Sequence, residues 1–149
     1  MSSMSDYLES GVLTHLFRTA TFSKPPQLAI CLATGALSDS MTGNLTLGGV
    51  SLEVANAGAY NRQVLDASDA NWLWIGTQVS GSGNVDNIPD ITFPVATAAW
   101  GVITHVAITD SGTYNAGHLL FHGPLQIAKT VTQNDQFKFS AGNLDIYAG

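Results

Sequence analysis

Residues 91–125 read ITFPVATAAWGVITHVAITDSGTYNAGHLLFHGPL, and this stretch decides the fold class. Ile91, Phe93 and Val95 alternate with polar or turn-forming neighbours, 102–108 is nearly continuous apolar sequence, and 119–121 is a third short run. β-rich runs of this length, separated by Gly, Pro, Asn and Asp, are expected to form consecutive antiparallel strands. Pro94 removes a ladder donor, which places its strand at a sheet edge or ends it there.

Working outward, 27–34 (QLAICLAT) is a strand buried on both faces, with Leu28, Ile30 and Leu32 on one side and Ala29, Cys31 and Ala33 on the other. Val50, Leu52 and Val54 alternate with Ser51 and Glu53, giving a half-buried strand. Further strands are expected at 60–65, 72–79, 129–132, 136–139 and 144–147, with a short edge strand at Leu45 and Leu47 inside the glycine-rich 35–49 loop. That is about nine strands. The count and spacing predict a mainly β chain, an antiparallel β-sandwich of jelly-roll or Greek-key type with its strand order left open. Ile30, Cys31, Phe93, Trp100, Ile103, Phe137 and Phe139 are its expected core.

One helix precedes the strands, over 6–18. Asp6 is the expected cap, with Glu9 three residues on. Leu8, Val12, Leu13, Leu16 and Phe17 form its apolar stripe, which must be covered by the domain or by a neighbouring subunit. Residues 1–149 are expected to make a single domain, since 149 residues suffice for one good core.

Composition narrows the function. Only 11% of residues are charged, the net charge is −6, and the five Lys and Arg residues are scattered, so no basic stripe exists for nucleic acid or an anionic membrane. No apolar run approaches the ~20 residues of a membrane-spanning helix, and the first ten residues lack the features of a signal peptide. A single cysteine, Cys31, excludes an internal disulfide framework and fits synthesis and folding in a reducing cytosol.

No catalytic set emerges. His118 and His122 would share a helix face, but on a strand four residues span roughly 13 Å and one metal cannot bridge them. His105 with Asp110 lacks a nucleophile elbow, and His105 is expected to hydrogen-bond a backbone or Thr group. Glu53 and Asp66 are the nearest thing to a glycosidase pair in a chain with two glutamates. Asp86 and Asp90 lack the spacing of a calcium loop. The expectation is therefore no enzyme, no metal and no cofactor. Trp72 and Trp74, two apart on a strand, share a face. They belong to core or a subunit interface, or else form a sugar-stacking platform, with the first favoured.

The segments DYLESGVLTHLFR, LAICLAT, YNRQ, FPVATAAWGVITHVAI, LLFHGPL and KTVTQNDQFKFSAGNLDI resemble a family of tailed-bacteriophage virion proteins. The more specific parts are Trp100-Gly101 with Ile103-Thr104-His105, and Asp135, Phe137, Phe139, Gly142 and Leu144; the 35–49 region fits least well. Members are commonly labelled tail fibre proteins, and related small β-sandwich proteins decorate capsids as cement. The resemblance implies a non-enzymatic virion component that self-associates as a homotrimer. The leading expectation is a capsid cement or decoration protein bound to the major capsid protein, with Leu8, Val12, Leu16, Leu45, Leu47, Trp72 and Trp74 as interface residues. The alternative is a tail-fibre-associated or receptor-binding module that recognises host surface glycan.

Overall fold

The computed structural model describes residues 3–75 and 83–148. In chain order its elements are β1 (Ser3–Met4), α1 (Asp6–Phe17), β2 (Ala29–Ala33), β3 (Thr46–Leu47), β4 (Val50–Ser51), β5 (Gln63–Val64) and β6 (Trp72–Ile75). They continue with β7 (Asn84–Asn87), β8 (Ile91–Val95), β9 (Gly101–Thr109), β10 (Leu119–Val131), β11 (Gln136–Phe139) and β12 (Asp145–Tyr147). The chain is mainly β with one N-terminal helix. The strand expected at 72–79 is seen over β6, and its second half lies outside the described residues.

The strands form four antiparallel sheets. The largest has the order β1-β10-β9-β2-β5; the others are β12-β7-β6, β11-β8 and β3-β4. At the centre of the large sheet β2 pairs with β9 from Ala29↔Thr109 to Ala33↔His105, and all five β2 residues are fully buried. Small and branched apolar residues alternate there because both faces are covered. Ile30, Leu32, Ile103 and Ile108 join Phe93, Trp100, Phe137, Phe139 and Ile146 in the main core, which cements β8, β11 and β12 to the large sheet. On the reverse face Cys31 and Ala107 pack with Met41, Leu45 and Leu119 under the 37–52 arm. Leu45 is wholly buried there, whereas Leu47 is 56% exposed. Leu45 is thus a core residue of its own chain, not a surface contact.

Two expectations need correcting. The cap of α1 is Ser5, whose side chain accepts from the Leu8 amide at 3.2 Å. Ser5 also donates its hydroxyl to Leu119 O, and its amide to Leu120 O at 2.9 Å. It outcompetes Asp6 because β1, pairing at Ser3↔His122 and Met4↔Phe121, delivers it to the sheet edge. The other correction is that 119–121 and 129–132 are not separate strands: β10 runs through Gly123-Pro124, with a register shift between Pro124 and Lys129. β1 covers β10 only at Phe121 and His122, so Pro124 lies on an otherwise open edge that tolerates proline.

Candidate functional site

The residues singled out for chemistry are occupied with structure. Glu53 and Arg62 form a fully buried ion pair, Nη2 to Oε2 and Nε to Oε1 both at 2.8 Å. Tyr60 Oη donates to the same Oε1 at 2.9 Å and accepts the Leu32 amide at 3.0 Å. Arg62 Nη1 reaches Thr109 Oγ1, Ser111 O and Ala116 O, and Nη2 donates to Gly43 O. Burial disfavours the charge on Arg62, but its hydrogen bonds to Glu53 and the electrostatic influence of Cys31, Glu53 and Tyr60 together outweigh that and raise its pKa. A carboxylate so fully committed is no glycosidase acid, and Asp66 is exposed.

The histidines are dispersed. His118 Nδ1 pairs with Asp110 Oδ2 at 2.8 Å and stacks flat on Tyr7, with ring centroids 3.9 Å apart. His122 Nε2 pairs with Asp39 Oδ1 at 2.7 Å. His105 Nδ1 bonds Thr104 Oγ1 at 2.9 Å, and burial, then the charge of His122, pulls its pKa down. Asp110 therefore serves His118, not His105. Among the described residues no three His, Cys, Asp or Glu groups gather as metal ligands. Burial pushes the Cys31 thiol up to about 12, leaving it a poor nucleophile.

What the fold does build is a cleft of about 400 Å³ between the large sheet and the β12-β7-β6 sheet. On β6 the pleat turns Trp72 and Trp74 to one face, and the pairs Trp72↔Asn87 and Trp74↔Val85, with Ile146 opposite Val85, fix that face against the large sheet. Ile108, Leu120 and Phe121 line the far wall, Leu28 contributes a third side, and Lys24, Ser68 and Asp69 bring polar groups. The two indoles differ. Trp72 is half-buried and anchored by its Nε1 donating to Leu65 O at 3.2 Å, while Trp74 is 51% exposed. Lys24 Nζ donates to Ala67 O at 3.2 Å, tying the polar side together.

A larger groove of about 770 Å³ follows β10 past β11 and 142–146. Of its aromatic residues, Phe137 and Phe139 are buried and Phe121 is partly buried, and no tryptophan lines it. The indole cleft combines a volume suited to a small ligand, an apolar wall, one open aromatic face and a few polar groups, the usual makings of a binding site. Sequence spacing identified Trp72 and Trp74; Lys24, Ser68, Asp69, Phe121 and Ile146 were missed, because they come from separate elements and carry no shared period.

Of the other expected interface residues, Leu8 is buried against the core, whereas Val12 and Leu16 are exposed. The α1 stripe is thus mostly unburied. Its opposite side is taken by the 18–26 strap, with Phe22 edge-on to Tyr7 and its amide donating to His15 Nδ1 at 3.3 Å.

A family model described as Podophage GP4 fiber I protein gp80 matches residues 3–147. No curated protein matches the chain. The family match favours the fibre alternative over the leading expectation of a capsid cement protein, since the matched family is described as one of fibre proteins.

Proposed function

Because the chain belongs to the podophage GP4 fiber I protein gp80 family, it is a structural, non-enzymatic component of a phage virion fibre, and we propose that it also contacts the host by holding a surface glycan in the Trp72–Trp74 cleft. The observation that carries this reading is the half-exposed Trp74 indole beside an apolar wall with Lys24, Ser68 and Asp69 within the same cleft. The C–H faces of a sugar ring stack on an indole, and its hydroxyls need polar partners close to that plane. A cleft that offers both selects carbohydrate over a purely apolar ligand.

The test is binding of the protein to an array of bacterial lipopolysaccharide and capsular oligosaccharides, and to host cells, with Trp74→Ala in parallel. Trp74 is half exposed, so the variant is expected to fold. Wild type should bind at least one oligosaccharide, and Trp74→Ala should bind it at least ~10-fold more weakly, the usual loss at an aromatic hot spot. Equal binding by the variant, or no binding by wild type to array or cells, overturns the reading.

A further inference from the structure

The indole cleft is divided in two by chemistry. Its polar groups sit at one end, where Lys24, Ser68 and Asp69 meet the start of β6. Lys24 Nζ spends one ammonium donor on Ala67 O, and Ser68 and Asp69 are exposed. Beyond that end the lining is apolar. Trp74, Val85 and Ile146 stand side by side across β6, β7 and β12, and Ile108 and Leu120 face them from the large sheet. The aliphatic side chains there can neither donate nor accept a hydrogen bond. Their backbone is no substitute: Val85 and Ile108 have ladder partners on both sides, and Leu120 O already accepts the Ser5 amide. Charge narrows the ligand further. Lys24 and Asp69 balance each other, and a chain of net charge −6 gives no long-range attraction to an anionic sugar.

Resting on the glycan reading above, we propose that the sugar held in this cleft is a neutral 6-deoxyhexose. Its ring lies on Trp74, its 2- and 3-hydroxyls face Lys24, Ser68 and Asp69, and its C6 methyl is buried against Val85 and Ile146 beneath Ile108 and Leu120. A ring stacked on Trp74 reaches Val85 directly, because residues opposite each other on paired antiparallel strands bring their Cβ atoms within about 5.5 Å. In an ordinary hexose the C6 carbon carries a hydroxyl, which would lose its water at that wall and find no partner. In a 6-deoxyhexose the same carbon is a methyl, and its burial is favourable. A uronic acid is worse placed still, since it would bring a charge to the hydrocarbon end and leave the ammonium of Lys24 at the other. The C2–C3 edge of the ring lies opposite C6, so one orientation serves both ends of the cleft.

The test uses pairs of methyl glycosides that differ only in the C6 hydroxyl: L-rhamnose with L-mannose, L-fucose with L-galactose, and D-quinovose with D-glucose. Titrations are followed at the Trp74 indole N–H resonance, assigned by its loss in Trp74→Ala, beside the oligosaccharide array. The 6-deoxy member of at least one pair should bind ~10–100-fold more tightly than its parent, the discrimination an apolar pocket achieves against an added hydroxyl. Oligosaccharides bound on the array should contain a 6-deoxyhexose. Val85→Thr, a near-isosteric change at a half-buried position, adds a hydroxyl to the wall and should cut that preference several-fold. Trp74→Ala should instead weaken both members of a pair alike. Equal binding within every pair, tighter binding of the parent hexose, or array binding confined to glycans without a 6-deoxyhexose overturns this inference and leaves the glycan reading standing. A preference that survives Val85→Thr intact overturns the hydrocarbon wall as its source. No binding of any glycoside or oligosaccharide overturns both.

Discussion

The Glu53–Arg62 site and the outer face of α1 are opposites. In the first, charged groups lie at zero exposure and every contact is made within the chain; in the second, large apolar groups stand partly or mostly in solvent. A buried ion pair is worth keeping only when hydrogen bonds satisfy both partners, and here six bonds from one guanidinium join Glu53, β9, the 111–116 turn and Gly43. An apolar stripe is worth keeping only when something covers it. Polarity is thus inverted between the two regions: the charge locks the scaffold, and the apolar groups are left at the surface.

Breaking the locked region should have the largest effect. Arg62→Ala strands the Glu53 carboxylate in the interior and frees three loop carbonyls, a loss expected at about 3–5 kcal/mol. Urea denaturation should show it as a lower midpoint at unchanged slope. Arg62→Met with Glu53→Leu removes both charges, and should recover most of that loss. If the single and double variants are equally unstable, the site matters for its packing and not for its charges.

The two indoles sharpen the comparison within one cleft. Trp72 packs on the core and is hydrogen-bonded to Leu65 O, so Trp72→Ala is expected to cost about 3 kcal/mol. Trp74→Ala should cost under about 1 kcal/mol, since half of the side chain is already in water. Thermal unfolding of both variants checks the ordering, and a reversal would mean that Trp74 is the structural indole.

Gly11→Ala probes the boundary between the scaffold and the exposed apolar face of α1. In an unhindered helix the change would stabilise by about 1 kcal/mol. Here the added methyl meets the Phe22 ring, so the ring and strap must shift and the gain is cancelled or reversed, to a net loss of about 1 kcal/mol. A clear gain in Tm would show that the strap yields freely.

The legible parts of this fold are those where one period runs long enough to be read. β2, β8 and β9 were recognisable because alternation or a continuous apolar run matches a strand with one or two buried faces. β1 has two residues and no pattern, and it forms because β10 presents an edge. Gly123-Pro124 reads as a turn on local chemistry alone, and it continues a strand because that edge is largely unpaired. The Glu53–Arg62 pair was hidden for a related reason. Charged residues are assigned to the surface by default, and nothing in a nine-residue separation says that Tyr60 and Thr109 close over them. The α1 stripe was visible as a stripe, but which way it faces is decided by Gly11 and Phe22, a contact with no periodic signal.

A pH dependence is expected at the edge of the β12-β7-β6 sheet. Asp86 and Asp145 stand directly across from each other on neighbouring strands, and Asp86 Oδ1 is buried without a hydrogen-bond partner. Burial first, then the hydrogen bond and negative charge of Asp145, push Asp86 up to about 6. A carboxyl raised in the folded state binds its proton more tightly there than when unfolded. Its contribution to stability is full below its ordinary value near 4, and is lost as pH rises through about 6. Asp90 and Asp135 run the other way: the Ala141 amide and then the Lys138 ammonium hold Asp90 low, the Thr132 amide and hydroxyl hold Asp135 low, and their contribution is lost on acidification. Asp86→Asn removes the first effect alone. Its midpoint of unfolding should exceed wild type at pH 7.5, converge with it near pH 4, and leave the decline at lower pH unchanged. An unaltered profile between pH 4 and 7 would show that the two carboxyls are kept apart by solvent.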